Sequence, residues 1–82
     1  MALYFLDYDL NKEKDYPKLY AELSRFGAVR ILDSLWCFNH SETTAIDMRD
    51  HFGKFLDADD GLCVSEIKSW ATRKTQHNPN DL

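Results

Sequence analysis

Three observations predict that this 82-residue chain is an α+β domain of element order βαββαβ. Leu3-Tyr4-Phe5-Leu6-Asp7-Tyr8-Asp9-Leu10 is dense in aromatic and branched residues and holds no Gly or Pro, the composition of a strand buried on at least one face. Two apolar stripes at helical spacing follow: Tyr16, Leu19, Tyr20, Leu23 and Phe26, then Ala45, Met48, Phe52, Phe55 and Leu56. Runs of strand composition lie between and after these stripes, at 28–39 and 62–67.

In the first strand, alternation puts Tyr4, Leu6, Tyr8 and Leu10 on one face and Leu3, Phe5, Asp7 and Asp9 on the other. Polar residues 11–14 end it. Asp15-Tyr16-Pro17 opens the first helix, with an acidic residue near the N-cap and Pro in the first turn, where its missing N–H costs nothing. Gly27 closes that helix as a left-handed C-cap. The run 28–39 is long for a single strand in so small a chain, so Asp33-Ser34 is read as a tight turn or bulge between strands 29–32 and 35–39. Trp36 and Phe38 share one face of the latter and Leu35 and Cys37 the other, as in a central strand buried on both sides. Thr44 with Asp47 three residues on caps the second helix, and Gly53 is expected inside it. The acidic turn Asp57-Ala58-Asp59-Asp60-Gly61 leads to the last strand, Leu62 to Ile67. Residues 1–70 form the predicted domain, and 71–82 a polar tail with almost nothing to bury.

This order is the split βαβ, or ferredoxin-like, arrangement. Right-handed crossovers place both helices on one face of a four-stranded antiparallel sheet and leave the other open. With the strand order 4-1-3-2 usual for this motif, the first strand is central. Asp7, Asp9, Asp33 and the acidic loop then gather at one end of the sheet. Leu3 and Phe5 stand on the open face, where a second copy of the sheet would cover them, so a homodimer is expected.

Composition narrows the function. No apolar stretch is long enough to span a bilayer, and the chain starts in a strand rather than a basic leader and apolar export signal, so the expectation is a cytoplasmic protein. Cys37 and Cys63 lack the spacing of a metal knuckle or redox pair and are read as reduced core thiols. The formal net charge of -4 argues against a general affinity for polyanions. His40, His51 and His77 are scattered, and with only three glycines the chain has no phosphate loop.

Carboxylates are the remaining chemistry. Asp7 and Asp9 share a face with backbones roughly 7 Å apart, near enough for both to lean toward one hard cation. Mg²⁺, or Mn²⁺ in its place, takes oxygen ligands of this kind and can polarise a phosphate or activate water. Asp9 is accordingly the candidate catalytic residue, with Asp9 and Asp7 as candidate metal ligands. The loop acids and Asp33 are common turn residues. Arg30 belongs to a set of basic residues, with Arg25, Lys68, Arg73 and Lys74, that either rim a nucleic-acid surface or stand as ordinary solvated charges.

The order Tyr8-Asp9, Leu19, Leu23, Phe26-Gly27, Val29-Arg30-Ile31, Ser34-Leu35-Trp36 and Asp59-Asp60-Gly61-Leu62 resembles the second of the two near-universal CRISPR-associated adaptation proteins and its stand-alone relatives. The resemblance spans about residues 3 to 67. It implies a ferredoxin-like homodimer, with the Mg²⁺-dependent nuclease activity of some members, endoribonuclease-like or acting on DNA. In adaptation complexes it implies a bridging role beside an integrase partner. The family's metal-binding acid falls on Asp9 and its small hydroxyl residue on Ser34, which with Arg30 makes the candidate nucleic-acid contacts. A non-catalytic ferredoxin-like module that binds a protein partner is the alternative.

Overall fold

The computed structural model describes residues 1–10 and 16–82. Its elements are β1 (Ala2–Asp9), α1 (Pro17–Arg25), β2 (Val29–Leu32), β3 (Leu35–His40), α2 (Ala45–Gly53) and β4 (Gly61–Ile67), followed by a 3-10 turn at Pro79–Asp81. The four strands form one sheet of order β2-β3-β1-β4, antiparallel at every pairing. This is the ferredoxin-like βαββαβ fold, with β1 central.

Alternation along β1 decides where the core lies. Tyr4, Leu6 and Tyr8 are buried, and with Phe38 of β3 they meet Leu19 and Leu23 of α1 and Met48 and Phe52 of α2 in one cluster. Phe38 stacks on Tyr4 and touches Phe26 and Phe52, so aromatic contacts join the sheet to both helix ends. The register sets Phe5 opposite Cys37 and Ser65, and Asp7 opposite Leu35 and Cys63, which puts those residues on the face away from the helices. Cys63 is consequently exposed while Cys37 is buried, so only one of the two thiols belongs to the interior.

Local signals explain most boundaries. Pro17 starts α1, and Gly27 follows it with φ 70, a left-handed backbone open to glycine without strain. Asp15, expected near the N-cap, lies outside the described residues, as do residues 11–14. The Thr44 hydroxyl accepts a hydrogen bond from Asp47 N at 3.1 Å and caps α2. Gly53 is the last residue of α2 rather than an interior one, and Phe55 and Leu56 reach the core from the turn beyond it. A poor helix former at the end of a helix costs less than one inside it. Asp33 and Ser34 form the tight turn between β2 and β3, with a register shift between Arg30 and Leu32. Among the described residues no helix is long and apolar enough to cross a membrane.

The segment after β4, expected to have almost nothing to bury, is tied to the sheet edge through one residue. Gln76 N donates to Ile31 O at the edge of β2, and the Gln76 side chain donates to Asp33. The final turn closes on itself through Asn78 and Asp81.

Phe52 lies at the centre of the aromatic contacts and is fully buried. Phe52→Ala is expected to lower stability by about 3–5 kcal/mol, the usual cost of emptying a large aromatic site. A urea titration would show this as a lower midpoint at unchanged slope.

Candidate site at the end of the central strand

The C-terminal end of β1 runs between the start of β3 and the start of β4, with Asp7 opposite Leu35 and Asp9 opposite Gly61. Both carboxylates are exposed and stand on the face away from the helices. Ser34 Oγ donates to Asp7 Oδ1 at 2.8 Å, and Tyr8 N donates to Ser34 O at 3.2 Å. The turn residue singled out by the resemblance is therefore brought onto Asp7, two residues before Asp9 on the same strand face. A methyl group at position 61 would reach 3.4 Å from Asp9 Cβ, so glycine there leaves the flank of Asp9 bare.

Asp7 and Asp9 are hard oxygen donors on one face, a set that fits Mg²⁺ held by one or two carboxylates with water in its remaining positions. They are a pair only: among the described residues no three His, Cys, Asp or Glu side chains converge as a metal cluster. When bound, such a cation would stabilise charge on a phosphate. The residues of this chain would present Asp9 openly and keep Asp7 oriented by Ser34.

Arg30 lies on the opposite face of the sheet from these carboxylates. Its guanidinium sits 4.7 Å from the Trp36 ring centroid and 5.1 Å from that of Tyr20, and Nη2 donates to the Tyr8 hydroxyl at 3.1 Å. Trp36 Nε1 donates to the same oxygen at 3.2 Å, and the Tyr8 hydroxyl donates to Asp33 O at 3.1 Å. One phenol thus accepts twice and donates once, which uses its full capacity. Through it the helix side of β1 holds the β2–β3 turn, and the turn holds Ser34 against Asp7. The fold brings Ser34 to the acids but leaves Arg30 behind the sheet as part of this aromatic network.

The acidic loop serves its own geometry. Asp60 Oδ2 accepts from the Tyr16 hydroxyl at 2.8 Å and from Asp57 N at 2.9 Å, tying the start of α1 to the loop before β4. The Tyr16 phenol is pushed up to about 12, first by burial and then by this bond to Asp60.

Sequence reasoning missed one polar cluster. Glu22 is buried in α1, with Oε2 at 2.5 Å from His51 Nε2 of α2 and Oε1 accepting from Arg25 Nη1 at 2.7 Å. The signal in the sequence is a carboxylate directly before Leu23 of the core stripe. No family model matches this sequence.

Two outcomes follow from these contacts. Tyr8→Phe strands the Arg30 and Trp36 donors and frees the Asp33 carbonyl, and should cost about 1–3 kcal/mol in urea unfolding. Tyr16 holds its proton more tightly folded than unfolded, where the ordinary value is 10.0, so its contribution is complete below pH 10 and fades as pH rises toward 12. The stability difference between wild type and Tyr16→Phe should therefore shrink across that window, read from urea midpoints at stepped pH.

Proposed function

We propose that this chain is a stand-alone relative of the CRISPR-associated adaptation family that works as a homodimer on nucleic acid, with Asp9 of each chain available to a divalent metal. The observation that carries the reading is the exposed Asp9 at the end of the central strand, next to an Asp7 already oriented by Ser34. Among the described residues a single chain supplies Asp7 and Asp9 there, and a dimer through the open face would add the same pair from a second chain. Mg²⁺, or Mn²⁺ as its substitute, is the metal such oxygen donors suit. Ser34, beside the acids, is the contact for a phosphate or ribose. Arg30 lends its charge from behind the sheet.

A second reading has its own support. The small number of converging ligands among the described residues, together with the net charge of -4, favours a non-catalytic module that binds a protein. Metal-ion stabilisation separates the two, because a cation that binds only the folded chain raises its melting temperature.

Purified protein incubated with single-stranded RNA and with double-stranded DNA, with and without Mg²⁺ or Mn²⁺, should cleave one of them only when metal is present. Asp9→Ala should abolish that cleavage and leave the folded dimer intact. Undiminished cleavage by the variant would remove Asp9 from the mechanism. If wild type is inert and neither metal raises its melting temperature, the protein-binding reading takes over.

A further inference from the structure

The sheet face away from the helices is apolar along its centre, yet in this single chain much of it is covered. Cys37 is 0% exposed and Ile31 1% exposed, and neither belongs to the helix-side cluster. Leu3, Phe5 and Leu35 are half-buried. The segment after β4 supplies cover. It leaves the sheet at the β4 edge and reaches the opposite edge at β2, where Gln76 N donates to Ile31 O at 2.9 Å and Gln76 Nε2 donates to Asp33 Oδ1 at 3.1 Å. From there it turns at Pro79–Asp81. Asn78 Oδ1 accepts from Asn80 N at 2.9 Å, and Asp81 Oδ2 accepts from Asn78 N at 3.0 Å and lies 3.2 Å from His77 Nδ1. The Cys37 thiol beneath is pushed up to about 11, first by burial and then by the Asp81 carboxylate of this turn.

From this placement we infer that residues 71–82 form an intramolecular strap over the open sheet face, which must lift before a second copy of this chain can dock there. The inference rests on the dimer reading above and adds a control to it. The strap is built to come off. Its final turn buries none of its own residues, and Leu82 is exposed. Its bonds to Ile31 of β2 and to the exposed Asp33 of the following turn both come from one residue, Gln76. A segment with few buried apolar contacts opens locally at low free-energy cost, well below that of global unfolding. Its foot is also close to the carboxylates, because Asp33 precedes the Ser34 that orients Asp7. A second copy would offer the same face a larger apolar surface, and mass action would favour it as concentration rises.

Cys37 is a built-in reporter, and a Cys63→Ser background removes the exposed thiol. In that full-length background, Gln76→Glu sets a carboxylate against Asp33 at nearly unchanged size. At a concentration where sedimentation shows monomer, Cys37 should react with an aromatic disulfide reagent about tenfold faster in Gln76→Glu, since the opening equilibrium sets the rate. Adding Asp33→Asn restores a donor for Glu at position 76 and should return the slow rate, which excludes general unfolding as the cause. Sedimentation across a concentration series should show Gln76→Glu forming dimer at lower concentration than its parent. Unchanged Cys37 reactivity, with dimer formation also unchanged, overturns the strap and leaves the dimer reading standing. Faster labelling with no dimer at any concentration overturns the dimer reading and the proposal with it. A parent dimer that Gln76→Glu weakens overturns the proposal too, because the segment would then be holding two chains together.

Discussion

Strand β1 is paired along both edges and packed under both helices, and this double commitment constrains everything around it. Tyr4, Leu6 and Tyr8 alternate with Leu3, Phe5 and Asp7, so a register slip of a single residue would turn three core side chains toward the open face and carry a carboxylate into the core. Burying an unpaired charge is far costlier than exposing a leucine. The pairings to β3 and β4, and the positions of Asp7 and Asp9 at their end, follow from that asymmetry.

Tyr8 extends the constraint from backbone to turn. Its ring belongs to the core, while its hydroxyl accepts from Arg30 and Trp36 and donates to Asp33. A buried hydroxyl with three hydrogen-bond partners specifies geometry as well as stability, since each partner atom left alone would pay its own desolvation. The result is a rigid link from the helix side of the sheet to the turn that carries Ser34 on its other side. Ser34 in turn holds one oxygen of Asp7 and leaves Asp9 exposed. The strap from the C-terminal end meets the same turn through Gln76, so one short loop joins the core, the carboxylates and the cover of the open face.

Elements set by local chemistry could be read without coordinates. Pro17, Gly27, Asp33-Ser34 and Thr44 each act within a turn of the chain, and each marks a boundary within a residue or so. The alternation in β1 likewise named the buried face. Gly53 was misplaced because propensity alone does not say whether a glycine interrupts a helix or ends it. Cys63 was misread because its apolar neighbours Leu62 and Val64 point to the other face. Arg30 was counted with the surface cations, since the rings that receive it come from α1 and β3 and only the folded chain assembles them.

By itself the sequence determined the element order, the strand faces and the presence of two acids at the end of the first strand, because period, capping and turn chemistry are local properties. Only the tertiary structure decided which acid is held and which is open, that Glu22 and His51 pair across the helices, and that the polar C-terminal segment bonds to the β2 edge. Those outcomes depend on contacts between residues distant in the chain: Ser34 with Asp7, His51 with Glu22, Gln76 with Ile31 and Asp33. No local pattern encodes such pairs, because each exists only after the sheet has set its register and brought the partners together.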